Sequence, residues 1–200
     1  GASWEQAAAR LDTSTDVDDL EARQFRLGSP LVARTPELAA YAAPSFTPRR
    51  PLIDAVMDLN HRIHVDFAYE PGTTSISTSV SEILENRRGV CQDFAHLAIG
   101  CVRSMGLPAR YVSGYLETDP PEGVERLVGA DASHAWFSVY VPEHGWLDLD
   151  PTNDLLPHGR HVTAAWGRDY ADVTPLKGVV YTAAQEHELS VSVDVERITT

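Results

Sequence analysis

Gly89-Val90-Cys91-Gln92-Asp93-Phe94-Ala95-His96-Leu97-Ala98-Ile99-Gly100-Cys101-Val102-Arg103-Ser104-Met105-Gly106 carries the strongest helical signal in the chain. Phe94, Leu97, Ala98, Cys101, Val102 and Met105 recur at the spacing of one helix face. Gly106 fits a C-terminal cap, and Pro108 prevents continuation. The helix therefore runs from about Cys91 to Met105, and Cys91 opens it. A thiol at that end feels the positive pole of the helix dipole, which favours thiolate. Arg87 and Arg88 add to this effect and Asp93 opposes it. Taken alone, a cysteine at a helix start is more often a packing residue than a nucleophile. Cys101 lies mid-helix within the apolar stripe and reads as core, where a thiol is hard to ionise.

Past the helix the period changes to two. Arg110 to Leu116 reads as a strand, residues 118–131 as a loop, His134 to Val141 as a second strand and Gly145 to Asp150 as a third. Residues 161–166, 178–183 and 188–198 read as three more. Before the helix, Leu52, Val56, Leu59 and Ile63 recur at helical spacing after Pro51, and Val80 to Glu85 suits a short helix. Helices first and antiparallel strands later indicate an α+β domain. Residues 1–50 are the least readable. Thr35-Pro36-Glu37 opens a short helix over 38–43, and the segment as a whole reads as an N-terminal arm ahead of a core spanning 51–200.

The second and third strands place two further groups. Leu147 and Leu149 must meet Ala135, Phe137 and Val139 across the hairpin, so Asp148 and Asp150 share the other face with His134. Two registers leave a short turn around Pro142-Glu143-His144. One sets Asp150 directly opposite His134; the other sets it diagonal, roughly 7–8 Å away between Cα atoms and still within reach. Either way the hairpin orients His134 with Asp150. A lone histidine is usually structural, and an acid before Pro151 usually serves a turn. Together, however, a thiolate at a helix tip, an imidazole on a sheet and a carboxylate behind it have the nucleophile–base–orienter logic of acyl transfer.

Composition narrows the field. A 43% hydrophobic fraction in 200 residues supports one sizeable core, and a net charge of −13 argues against binding nucleic acid or anionic membranes through a basic surface. No stretch approaches the roughly 18 apolar residues of a bilayer span, and no signal peptide is visible. Gly1-Ala2-Ser3 opens the chain without Met, which fits an excised fragment or a tag remnant. Cys91 and Cys101 sit roughly 15 Å apart on one helix, too far for a disulfide. Two unpaired thiols indicate a reducing compartment, the cytoplasm. No cofactor and no metal are expected. His61 and His64, and likewise His158 and His161, are three apart, but neither pair has a thiolate close by in sequence.

Four segments resemble the transglutaminase-like superfamily. Gly89 to Leu97 resembles its nucleophile segment, and Gly106-Leu107-Pro108-Ala109-Arg110-Tyr111-Val112-Ser113-Gly114-Tyr115 the segment after its helix. Ser133-His134-Ala135-Trp136 resembles its histidine strand and Trp146-Leu147-Asp148-Leu149-Asp150-Pro151-Thr152 its aspartate strand. The family's acid directly precedes Pro-Thr, which selects Asp150 over Asp148. Gly167 to Val173 resembles the C-terminal part of bacterial members regarded as cysteine proteases.

The resemblance implies a papain-like core, with the nucleophile helix packed on an antiparallel sheet. It implies a catalytic triad of Cys91, His134 and Asp150 acting on a peptide or protein amide, with water or an amine as acceptor and hydrolysis favoured. Tyr69, Gln92, Tyr115 and Trp136 are the candidate oxyanion or pocket residues, beside the backbone N–H of Cys91. Bacterial members carry an N-terminal β domain, of which residues 1–50 would be the tail. Nothing implies calcium dependence. The rival readings are a binding module that keeps the fold without catalysis and a metal site built on the same three residues.

Overall fold

Each short helix begins on a residue that satisfies its first N–H groups. In the computed structural model, which describes residues 1–76, 78–118, 132–174 and 193–195, Ser3 caps α1 (Trp4–Thr13) and Asp16 caps α2 (Val17–Ala22). Thr35 caps α3 (Pro36–Ala42), with the proline in the first turn. Pro51 leads into α4 (Leu52–Asp66), which buries Leu52, Val56, Leu59 and Ile63 as their spacing predicts. The two-residue strand β1 (Ala68–Tyr69) follows, then α5 (Val80–Asn86), capped by Ser79 and Glu82 as a reciprocal box. Strand β2 (Arg88–Gly89) leads directly into α6 (Cys91–Ser104). Met105 follows, and Gly106 turns the chain away at φ +79°.

Residues 1–50 depart from the expected arm. Leu38, Tyr41, Ala42 and Phe46 join one core with α4 and α6, and Ala7 and Val32 join it too. The departure has a physical source. The segment's apolar residues are scattered over three short helices and a 3-10 turn (Arg23–Arg26), each too brief to show a period. Arg103 fastens this region. Fully buried on α6, its guanidinium donates to the carbonyls of Phe25 (2.9 Å), Ala109 (2.9 Å) and Arg168 (2.6 Å) and to Ser29 Oγ (3.1 Å). Burial pulls its pKa down to about 10, so it remains charged at neutral pH.

The sheet is β3 (Ala109–Leu116), β4 (Ala132–Val141), β5 (Gly145–Leu149) and β6 (His161–Gly167), antiparallel throughout in the order β5-β4-β3-β6. Ala109, Tyr111, Ala135, Phe137, Val139 and Leu149 share the core with Phe94, Leu97, Ala98 and Cys101 of α6. This α+β arrangement is the one anticipated. The expected strand over 178–183 lies outside the described residues, as does the loop from residue 119. Of the expected strand over 188–198 only Val193–Val195 are described, and they carry no strand.

Two details of register position the site residues. Phe137 pairs with Leu149 and Val139 with Leu147, so of the two registers the hairpin takes the one that sets Asp150 diagonal to His134. On the other edge, β3 and β6 slip by one residue between Ser113 and Gly114, leaving Ala164 as a bulge. Gly114, opposite His134, makes room there. A Cβ on it would stand 2.2 Å from the Val162 carbonyl oxygen and 2.6 Å from the Trp136 ring. Gly114→Ala should therefore destabilise the protein by about 1–3 kcal/mol, read as a lower urea midpoint. An unchanged midpoint would show that β6 gives way freely.

Candidate active site

Cys91 is delivered by a backbone device that no side-chain pattern announces. β1 and β2 pair in parallel, with Tyr69 beside Gly89, so the chain enters α6 tied on one side. Asp93 Oδ2 accepts the Val90 N–H (2.8 Å) and the Thr74 hydroxyl (2.7 Å), which closes the helix start. Cys91 is half-buried there and Cys101 is fully buried; both thiols are free. Burial pushes the Cys101 thiol up to about 12, as its mid-helix position predicts.

His134 lies against two partners. Its Nε2 stands 2.7 Å from Asp150 Oδ2, and Cys91 lies near enough to help raise the ring's pKa. Since Nε2 is engaged with the carboxylate, Nδ1 is the nitrogen left for sulfur. Burial lowers the His134 pKa, but the hydrogen bonds to Asp150 and Cys91, with their charges, outweigh it and hold the ring at about 9. Asp150 is fully buried. Burial raises its pKa, and the histidine and amide donors around it overcome that and bring it to about 2.

Those donors are numerous. Oδ2 accepts from His134 Nε2, from His161 Nε2 (3.0 Å) and from Asn153 Nδ2 (2.7 Å), while Oδ1 accepts the backbone N–H groups of Thr152 (3.0 Å) and Asn153 (3.2 Å). Behind the turn, Asn60 of α4 donates to the Asp150 carbonyl (3.3 Å), His61 pairs with Asp154 (2.7 Å) and His64 meets the Thr152 carbonyl (3.0 Å). The sequence pattern does not mark Asn60, Asn153 or His161 as functional. Asn153 is legible only as the third residue of the turn after Asp150. His161 reaches the site only through the Ala164 bulge, which leaves no mark in the alternation.

The other candidates divide. Tyr69 is 54% exposed; partial burial of its phenol raises the pKa, and the Cys91 charge adds to the rise. Gln92 is half-buried in the first turn beside Cys91. Trp136 is fully buried, its Nε1 donates to Asp148 (3.2 Å), and its ring meets His161 edge to face at 5.2 Å. It is a wall behind His134 rather than a pocket lining. Tyr115 pairs with Ser133 and Val162, on the sheet face opposite His134. The structure does not bring it to Asp150.

His134, Asp150 and His161 offer three ligand atoms within 4.8 Å of one another. Zinc ligands about 2.0–2.2 Å from a tetrahedral ion stand roughly 3.3–3.5 Å apart. The 2.7 and 3.0 Å separations are those of shared protons instead. The histidine pairs spaced three apart also part company: His158 Nδ1 faces the Leu156 carbonyl while His161 turns to Asp150.

Residues 39–151 match the family model of the transglutaminase-like superfamily. The chain belongs to this superfamily. An uncharacterized protein of Mycobacterium tuberculosis is 54% identical over 165 residues, covering 80% of this chain and 52% of its own length. A protein-glutamine gamma-glutamyltransferase of Pseudomonas aeruginosa is 32% identical over 125 residues, 59% of this chain and 19% of that protein. The crystal structure of a candidate cysteine protease from Cytophaga hutchinsonii aligns with a TM-score of 0.67 at 30% identity, over 86% of this chain and 55% of that one. The chain thus spans about half the length of the M. tuberculosis relative and of that crystal structure. Among the described residues, no helix is long and apolar enough to cross a membrane.

The coupling of His134 to Asp150 has a stability signature. A folded-state pKa of about 9, against 6.5 ordinarily, means that this stabilisation is complete below about pH 6.5 and is lost as pH rises through about 9. Asp150→Asn should cost about 3–5 kcal/mol near pH 6, and the gap from wild type should narrow near pH 10. Urea unfolding at the two pH values measures it; a gap independent of pH would contradict the coupling.

Proposed function

We propose that this chain is a cysteine-dependent acyl-transfer enzyme in which Cys91 is the nucleophile, His134 the general acid and base, and Asp150 the group that holds His134. The observation that carries the reading is His134 Nε2 held 2.7 Å from the buried Asp150 Oδ2, with Cys91 near enough to help raise the His134 pKa.

In the acylation step the Cys91 thiolate attacks the carbonyl carbon of a peptide or protein amide. The carbonyl oxygen becomes anionic, and the Cys91 backbone N–H, unpaired within the first turn of α6, and the nearby Tyr69 hydroxyl suit its stabilisation. The C–N bond then breaks, His134 gives its proton to the departing amine, and a thioester remains on Cys91. In the second step His134 takes a proton from water as the oxygen attacks the thioester, and the carboxylic acid leaves with the thiolate restored. Asp150 keeps the imidazole in one tautomer throughout.

Water is the acceptor in this reading, which makes the enzyme a peptidase or amidase. The likeness to the candidate cysteine protease of C. hutchinsonii supports it. Amine transfer uses the same residues, and the likeness to the P. aeruginosa glutamyltransferase favours that alternative. A reducing compartment suits both, because the half-buried Cys91 thiol must stay free.

The test is direct. The purified protein is mixed with a peptide library and a labelled primary amine, and Cys91 is read by mass spectrometry. An acyl mass on Cys91 is expected, with product ending in either acid or labelled amide according to the acceptor. Cys91→Ala should lower turnover by at least about 10³-fold and leave the unfolding midpoint near wild type. Turnover that survives Cys91→Ala would refute the assignment. Absence of any adduct, together with equal alkylation of Cys91 and Cys101, would favour a binding module.

A further inference from the structure

Asp150 does not serve His134 alone. His161 approaches the same oxygen, Oδ2, from β6, the strand at the far edge of the sheet from β5. Its side chain is 4% exposed and that of Asp150 is 0% exposed. The ring is held by its surroundings: Trp136 meets it edge to face at 5.2 Å and interplanar 88°, and the His134 ring lies 5.8 Å away.

Its tautomer is set by the groups its two nitrogens meet. Nε2 is 3.0 Å from Asp150 Oδ2, whereas Nδ1 is buried without a hydrogen-bond partner. A proton on Nδ1 would be a buried donor with no acceptor, so the fitting tautomer carries its proton on Nε2 and donates to the carboxylate.

The backbone is built to bring it there. Tyr111 to Ser113 of β3 pair with Gly167 to Ala165 of β6 in one register, and Gly114 to Leu116 pair with Thr163 to His161 in another. Continued without the slip, the first register would place Val162 beside Leu116 and turn His161 to the opposite face. The single extra residue, Ala164, reverses that parity and sets His161 on the face of His134, Trp136 and Asp150. Gly114 admits the bulge by leaving space for the Val162 carbonyl.

We propose that His161 is a positioning residue of this site: its Nε2–H takes part of the negative charge of Asp150 Oδ2 and so limits how tightly the carboxylate holds the proton of His134. An orienting carboxylate without competing donors fastens the imidazolium more strongly and makes it a poorer acid towards the leaving amine. A second imidazole N–H donor keeps the acid ionised and aimed while moderating its pull. The titratable groups facing His134 are Cys91 from α6, Asp150 from the end of β5 and His161 from β6. On β1 and β3, Tyr69 and Tyr111 have pKa values raised by burial and by the Cys91 charge. The catalytic meaning of this inference rests on the triad reading above; the hydrogen-bond pattern does not.

The test is a titration of the histidine Cε1 resonances by NMR, with His134 assigned through its loss in His134→Gln. In His161→Phe, which keeps the ring shape without the donor, the His134 pKa should rise by at least about half a unit. In His161→Gln, whose amide nitrogen can occupy the Nε2 position, it should return towards wild type. An unchanged or lowered pKa in His161→Phe overturns the proposal, as does an equal shift in both variants, which would mark a purely structural role. In the wild-type protein, nitrogen shifts of His161 should show the Nε2–H tautomer; an Nδ1–H tautomer overturns the proposal without any variant. Selective alkylation of Cys91 over Cys101 is measured in the same samples. Its absence would sink the catalytic reading while leaving the effect of His161 on His134 measurable.

Discussion

A carboxylate taken wholly out of water is costly unless its lone pairs are filled, and the site is organised around that constraint at Asp150. Its oxygens accept two imidazole N–H groups, one amide N–H and two backbone N–H groups. The donors come from three local devices: His134 from the central hairpin, His161 from a bulged edge strand, and Thr152 and Asn153 from the turn that the acid itself opens. Because the sheet supplies both imidazole donors and the turn the rest, the position of Asp150 is a property of the sheet and its turn together. Because His134 is one of them, its orientation is too. The raised proton affinity of His134 comes from the same pairing, seen from the other partner.

The sulfur is placed by independent means. α6 packs its apolar stripe on the sheet, and its N-terminus is fixed by the β1–β2 ladder and by Asp93 closing on Val90. Packing sets the height of Cys91 over the sheet, while the ladder sets the entry angle of the chain. The same ladder sets Tyr69 beside Gly89, two residues before Cys91, although the two paired residues are 20 apart in sequence. Arg103, at the far end of α6, binds four acceptors in three segments through one guanidinium, so both ends of the helix are tied to parts of the fold distant in sequence.

Much of this is legible from residues alone, for definite reasons. The α6 stripe and the alternation of β4 and β5 are periodic over enough residues to read. Alternation also limits the hairpin to registers that bring Asp150 to His134. The hidden features depend on events that break period. The Ala164 bulge changes which side chains face the site without changing composition, so in the sequence His161 looks like half of a weak histidine pair. The β1–β2 ladder is two residues long on each side and has no pattern to detect. The helices of residues 1–50 are short, and their burial is decided by partners elsewhere in the chain. The strand pattern puts Trp136 on the right strand and face, but its complete burial depends on His161 and Gly114, neither of which that pattern reveals.

The central claim is that the tip of α6 and the β4–β5 hairpin bring one sulfur and one imidazole into contact, with the reacting carbonyl between the sulfur and the first backbone N–H of the helix. A crystal structure of the protein carrying a peptide aldehyde would test it most directly. The expected result is a bond from the aldehyde carbon to Cys91 Sγ, with His134 Nδ1 about 3–4 Å from the sulfur and the new oxygen within about 3 Å of the Cys91 N–H. An adduct on any other residue, or a Cys91 sulfur more than about 6 Å from the His134 ring with no bound aldehyde, would contradict it.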